Sequence, residues 1–455
     1  MNTVLGSDVG LTLPKQSRFY DFGVFIASFL WIYYLSNILS PRQFGISLDN
    51  FWFDADVPRY ICQAVDRIAN DHWRNKVHPL FSLMTYPLPN ALKFFGIEII
   101  QAIRIQLSLI VAIGAVFLFN ALRNAKISEI NAFLIVALGL SGAASLAWFS
   151  IPESYAYSFA AFSIVLFITT LRQKKSGIAM QWVMTIAIAF SVTVTNIAIA
   201  GWAAVQSCGI KRALILSAMA IAVVSVLAVT QRLLFPFSGI FFLPSAVQGE
   251  ASFFVSISLE RLRQVLALFF FGSLVFPEFQ LVNMPGKEAF LTVQQAVWKR
   301  DSLLAVTALF LLSTFLLAGL VTIFTTMLCS IKKQGRMMGT LLAQSPIDRV
   351  SYTVVGSVVF LVLLHLVYGS ETFVYSGSFL PFLLMILGLG VSRLDKYSKI
   401  LGTGLLSILL ATNAVHGLTQ WHSAVAEVRI HAASAPNEKA MARNTCPFVK
   451  RQELF

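Results

Sequence analysis

The chain has 455 residues, of which 57% are hydrophobic and 12% charged, and its mean hydropathy is +0.75. A soluble domain carries roughly twice that charged fraction, so a soluble globular protein is excluded. The net charge of +13 would point to nucleic acid in a soluble chain. Here the Lys and Arg residues sit largely in short connections between apolar runs, where they encode orientation in a membrane, and nucleic acid is set aside as a partner.

The apolar runs are about 20 residues long and continuous, which predicts helical spans and not the alternating pattern of a β-barrel. The first run, Phe22–Leu39, is too long for a signal-peptide core and no small-residue cleavage site follows it, so it reads as a retained span. The predicted architecture is an all-α membrane protein with about eleven spans, at 21–40, 98–121, 128–149, 155–171, 177–195, 197–209, 212–231, 303–328, 350–368, 375–392 and 399–420. The pair at 177–209 is the weakest in pattern. Its second member is about half the usual length, as expected of a broken or partly re-entrant helix.

The connections alternate in charge. Lys15/Arg18, Arg123/Lys126, Arg172/Lys174/Lys175, Lys211/Arg212, Lys332/Lys333/Arg336 and Arg393/Lys396/Lys399 fall on one side, which the positive-inside rule makes cytoplasmic. The opposite side receives the 41–97 loop, the turns Ile151–Ser154 and Thr195–Asn196, the 232–302 segment, the Tyr368–Tyr375 turn and the 421–455 tail. Residues 1–420 thus form one polytopic domain with two large extracytoplasmic segments. Within the second, 251–276 mixes Glu260, Arg261 and Arg263 with aromatic residues and reads as a helix lying in the interface. A twelfth span there would invert everything after it and break the charge alternation. Cys62 and Cys446 fall on the outer side, where an oxidising compartment permits a disulfide. The sequence leaves a bridge and two free thiols open.

The polar chemistry gathers on that side. Asp54 and Asp56 lie beside Phe51, Trp52 and Phe53, where partial desolvation suits a carboxylate to act as a general base. Asp56 also precedes Pro58 in the pattern of a helix N-cap. His72 and His78 can bind anionic oxygen or move protons, or can anchor at the interface beside Trp73 and Pro79. Glu153, Asn196 and Glu371 lie in short turns at the mouths of spans, where acids usually face water or a cavity. Arg104 within the second span needs a partner or a route outward. Arg232, Arg261 and Arg263 add outer positive charge suited to a phosphate.

This constellation resembles the GT-C-type glycosyltransferases, polytopic enzymes that use a polyprenyl-phosphate-linked sugar. Asp56-Val-Pro-Arg59-Tyr60 is similar to the Asp-x-x-Arg-Tyr segment of the lipid A aminoarabinose transferases. His78-Pro79-Leu80 resembles an element found later in the same loop, and Phe373-Val-Tyr375-Ser376 looks like a late turn of bacterial members. The resemblance implies a GT-C-like fold in the bacterial inner membrane and sugar transfer from a lipid carrier to a glycan, lipid or protein acceptor. Asp56 or Asp54 would be the base. Arg59, Tyr60, His72, His78, Glu153, Asn196, Arg261, Arg263, Glu371 and Tyr375 would contact substrate. Some relatives pair such acids around a divalent metal, for which Asp54, Asp56 and Glu153 are the candidates. Two alternatives remain: a lipid-linked oligosaccharide polymerase or ligase, which would rely on Arg261 or Arg263, and a transporter or flippase. Against the latter, the spans are nearly free of acids at mid-depth.

Overall fold

The computed structural model describes residues 15–39, 51–53, 55–171, 178–243, 249–282, 289–334, 345–395 and 397–434. Asp54, Arg172, Lys174, Lys175, Arg336, Lys396 and Cys446 lie outside the described residues, as do most of the predicted tail and residues 40–50.

The chain is an all-α membrane protein, with one small hairpin among the described residues. Among the described residues, seven helices are long and apolar enough to cross a membrane. They are α1 (Lys15–Ile38), α5 (Ile99–Asn124), α11 (Ile210–Leu234), α13 (Leu303–Gln334), α14 (Pro346–Val367), α15 (Ser376–Leu394) and α16 (Lys399–Ser434). Shorter apolar helices accompany them: α6 (Glu129–Leu140), α7 (Ala143–Trp148), α8 (Tyr155–Thr170), α9 (Ile178–Val192) and α10 (Asn196–Cys208). The first loop contributes α2 (Val57–Val65), α3 (Phe81–Thr85) and α4 (Pro87–Phe94). Starts are fixed locally. Glu98 accepts from the N–H groups of Ile100 and Gln101, and Ser128 from that of Asn131. Ser345 and Asp348 form a capping box ahead of Pro346.

α15 is the axis of the bundle and is buried along almost its whole length. Its close neighbour is α13, and glycines let the two backbones touch. A Cβ on Gly319 would be driven into the Ile386 carbonyl oxygen, and one on Gly390 into that of Phe315.

The apolar run at 128–149, predicted as one helix, breaks at Ser141–Gly142. A break inside the bundle strands backbone polar groups, and each must find a partner. The Trp31 indole donates to the Leu140 carbonyl at 3.0 Å and the Ser145 hydroxyl to that of Gly139 at 2.6 Å. The N–H groups of Ala143 and Ala144 donate to Leu274 and Ser273 carbonyls, each at 2.9 Å. The partners come from α1 and from the 268–276 segment, so tertiary contacts stabilise the break.

Segment 249–302 is neither a span nor a purely interfacial helix. A 3₁₀ turn (Gly249–Phe253) leads to α12 (Leu259–Ala267), a π turn (Leu268–Gly272) and the hairpin β1 (Gln280–Val282) with β2 (Phe290–Thr292). Ile257 and Leu259 are exposed, as an interfacial helix requires. Phe269 instead stacks on Phe379 of α15, with ring centroids 4.7 Å apart. The stretch from Ile257 to Phe276 therefore starts at the surface and ends in the core.

Polar contacts divide the bundle into two ends. At one, Arg123 pairs with Asp21 and Glu129, Arg349 donates to the Leu171 carbonyl, and Asn131 bridges Asp395 and Thr403. At the other, the first loop meets the 151–154 and 193–195 turns, the 249–298 segment and the 368–375 turn.

Candidate functional site

The site is built on α2. Asp56 occupies its N-cap position, yet the carboxylate makes no capping bond. It pairs instead with the Arg59 guanidinium one turn on. The Asp56 side chain remains 41% exposed and that of Arg59 21%, so the carboxylate is held and still reachable.

Glu153 supports this pair from below. It lies in the turn between α7 and α8, is almost fully buried, and accepts the Asp56 backbone N–H at 2.7 Å through Oε1. Its Oε2 accepts the N–H of Ser154 at 3.0 Å. Burial, followed by the neighbouring Asp56 charge, raises the Glu153 carboxyl above the usual carboxylate range, with Arg59 and the two N–H groups opposing. Burial alone would weaken the charge on Arg59, but Asp56 and Glu153 outweigh it and raise its pKa. The three groups form one charge-coupled unit.

An aromatic floor fixes its height. Phe53 packs against Trp52, Trp148, Phe276 and Phe373. The Trp52 indole donates to the Ala147 carbonyl and the Trp148 indole to that of Phe373. Phe53 has φ +50°, a left-handed conformation uncommon outside glycine. This strained residue lies just before the acidic pair, where functional sites often store strain.

Tyr60 is buried, and its hydroxyl lies 2.8 Å from that of Tyr157 and donates to Gln106 Oε1 at 3.4 Å. Burial raises its pKa well above the usual phenol value. It braces α2 from inside the protein. His72 is also internal. Its Nδ1 is 2.6 Å from the Ser82 hydroxyl and its Nε2 2.8 Å from the Asp66 carbonyl oxygen, so both ring nitrogens are taken by the protein.

His78 differs. Its Nδ1 contacts the Val192 carbonyl at 2.6 Å, with the Thr193 hydroxyl at 3.2 Å. A carbonyl partner requires a proton on Nδ1, which makes Nε2 the acceptor of a neutral ring. Burial, then the Arg74 charge, lowers its pKa to about 3. Backbone bonds from Leu80 to Ser191 and from Val194 to Val77 dock this stretch onto the α9–α10 turn. Asn196 begins α10 there, buried, with its Nδ2 unpartnered.

Arg261 and Arg263 are both engaged by other groups of the protein. Arg261 donates through Nε and Nη2 to the His365 carbonyl, through Nη1 to that of Ser370 at 2.7 Å, and through Nη2 to that of Gly369. It thus closes the C-terminus of α14 and the following turn, where the helix leaves carbonyls unpaired. Arg263 is exposed and paired with Glu260 at 2.6 Å. Neither geometry presents a vacant guanidinium to a phosphate. Arg104 finds partners at the end of α1, the Asn37 amide oxygen and the Leu39 carbonyl. Arg232 donates to the Ser238 carbonyl.

Glu371 accepts the Thr292 hydroxyl at 2.8 Å, so the hairpin and the 368–375 turn meet at this acid. Tyr375 stacks on His365 at 3.8 Å and meets Tyr155 edge-on at 6.2 Å. Gly369 has φ +80°, and a Cβ there would strike the Tyr375 ring.

Sequence reasoning missed a second polar unit. Glu250 accepts from Arg74 at 3.1 Å, lies 3.6 Å from the Lys76 ammonium, and accepts the Tyr368 hydroxyl at 2.6 Å. It ties the first loop to the late turn. The run Trp73-Arg74-Asn75-Lys76 beside both histidines was the available signal; no local signal marks its partner, 176 residues away. Among the described residues no three His, Cys, Asp or Glu side chains gather as a metal-binding group. Asp54, one of the three expected ligands, lies outside those residues.

The arrangement offers a reachable, oriented carboxylate beside a fixed cation, over a buried second acid. No family model matches this sequence, and no curated protein and no solved structure matches it.

Proposed function

We propose that the protein is a membrane glycosyltransferase that moves a sugar from a polyprenyl-phosphate carrier to an acceptor hydroxyl on the extracytoplasmic face of a bacterial inner membrane. The reading uses eleven spans in a GT-C-like order. One observation carries it: the partly exposed Asp56 carboxylate, paired with Arg59 and seated on buried Glu153 through its own backbone N–H. That geometry suits a general base. Arg59 keeps the Asp56 carboxylate aimed, while Glu153 fixes the backbone that carries it.

In the proposed step the acceptor O–H gives its proton to Asp56 as its oxygen bonds to the anomeric carbon. The bond from that carbon to the phosphate oxygen breaks, and polyprenyl phosphate leaves with the electron pair. Attack opposite the leaving group inverts the anomeric centre. Phosphate is a good leaving group, so the demand for a general acid is small. The extracytoplasmic placement is supported by Cys62 on α2, which is disulfide-bonded, a state favoured by oxidising compartments. The polymerase or ligase reading needs Arg261 or Arg263 free, and their engagement with carbonyls and Glu260 weighs against it.

Native mass spectrometry of the purified protein tests the reading. A co-purifying polyprenyl-phosphate sugar is the expected adduct. Bulk phospholipid alone, even after such donors are added, would favour transport instead.

A further inference from the structure

Among the described residues of the first loop, Phe94 and Phe95 are the most exposed large apolar side chains, at 85% and 79%. Their rings meet edge to face with centroids 5.5 Å apart. They sit at the end of α4, on a closed turn. The Gly96 N–H donates to the Lys93 carbonyl at 2.9 Å and the Ile97 N–H to that of Leu92 at 3.1 Å. Gly96 has φ +87°, the left-handed conformation that lets a helix end turn back on itself in this bonding pattern. The two rings are therefore held in place, although no side chain of the bundle covers them.

Only Ile97 and Glu98 separate this turn from the span α5. α5 has 26 residues and is about 39 Å long, against a hydrocarbon core of about 30 Å. Its ends thus reach the headgroup level, and the Phe94–Phe95 turn lies beside one of them. Exposed Lys93 comes immediately before the rings, in position to meet lipid phosphate while its stem lies along apolar surface. A short helix end with aromatic rings and a cation at the level where a span begins has the chemistry of an interfacial anchor. α4 is also tied to the helix that carries the candidate site. The Asn90 amide donates to the Ala64 carbonyl in the last turn of α2 at 2.7 Å, and α4 packs along α5.

We propose that the Phe94–Phe95 tip docks into the lipid leaflet at the first-loop end of the bundle, and so fixes the height of α2 with Asp56 and Arg59. α2 is only nine residues long, too short to hold itself, and α4 links it to the bilayer through Asn90. The docking does not depend on the transfer reaction.

The full-length protein, with p-benzoylphenylalanine at position 94 or 95, is irradiated in vesicles of phosphatidylcholine and phosphatidylglycerol. Position 30, where Leu30 is exposed on the span α1, serves as the lipid-facing reference. Mass spectrometry should show phospholipid adducts at 94 and 95 as at 30. Adducts at position 30 with none at 94 and 95 would overturn the docking, as would a cross-link from either to another part of the chain or to a second copy. In Phe94→Ser/Phe95→Ser, the amides of α2 should lose hydrogen-exchange protection in the same vesicles while those of α5 keep theirs. Unchanged protection in α2 would overturn the link between the tip and the helix.

Discussion

The backbone N–H of Asp56 donates to Glu153 Oε1 at 2.7 Å, which joins the start of the first-loop helix to the turn between α7 and α8. The bond places a partly exposed acid directly above a buried one. It also separates the roles of the two carboxylates. Glu153 holds backbone, and the partly exposed Asp56 carboxylate pairs with Arg59.

Glu153→Ala should therefore damage the site without touching substrate. The Asp56 N–H loses its acceptor and Arg59 one of its two counter-charges. We expect kcat to fall about 10-fold or more, as a misplaced reacting group implies. Glu153→Gln, which keeps an acceptor oxygen, should retain most activity. Steady-state kinetics of both variants checks this, and equal losses would contradict the backbone-holding role.

His78 supplies a pH prediction. Its folded pKa is about 3 and its unfolded value about 6.5, so the unfolded chain binds the extra proton between those limits. Its stability contribution is full above about pH 6.5 and is lost as pH falls towards 3. His78→Gln should flatten the acid side of a melting-temperature profile between pH 6.5 and 4. An unchanged slope would show that His78 titrates normally.

Arg261 and Arg263 should separate cleanly. Arg261 is buried and holds three carbonyl oxygens at the end of α14. Arg261→Met should cost about 2–4 kcal/mol by leaving buried acceptors unpaired, read as a lowered melting temperature. Exposed Arg263→Gln should stay within about 0.5 kcal/mol. Loss of activity in Arg263→Gln with the fold intact would revive the polymerase or ligase reading.

Gly390→Leu tests the crossing of α13 and α15. Its side chain would enter the Phe315 carbonyl, and backbone cannot step aside as a side-chain tip can. Overpacking of this kind costs about 1–3 kcal/mol or more. Gly404 has open space around it, so Gly404→Ala is the control and should melt like the parent. Matching losses would argue against close helix contact at Gly390.

The apolar runs were legible because twenty apolar residues have few satisfied structures in lipid other than a helix, and helices occupy each run. The contact between Asp56 and Glu153 joins two connections that charge alternation assigns to one side. Other features depend on distant partners. The break at Ser141–Gly142 exists because Trp31, Ser273 and Leu274 satisfy it. His72 and Tyr60 have the polar look of site residues, but Ser82, Asp66, Tyr157 and Gln106 take them into the interior. For Arg261, nothing local reveals that a helix end 104 residues later takes its donors.

Asp56→Asn tests the central claim most directly. Purified parent and variant would be compared for transfer from a panel of synthetic polyprenyl-phosphate sugars, with melting temperature as the check on folding. Loss of a general base predicts a fall in kcat of about 10²–10⁴-fold at an unchanged melting temperature. Undiminished transfer by a folded Asp56→Asn protein would contradict the account and remove Asp56 as the base.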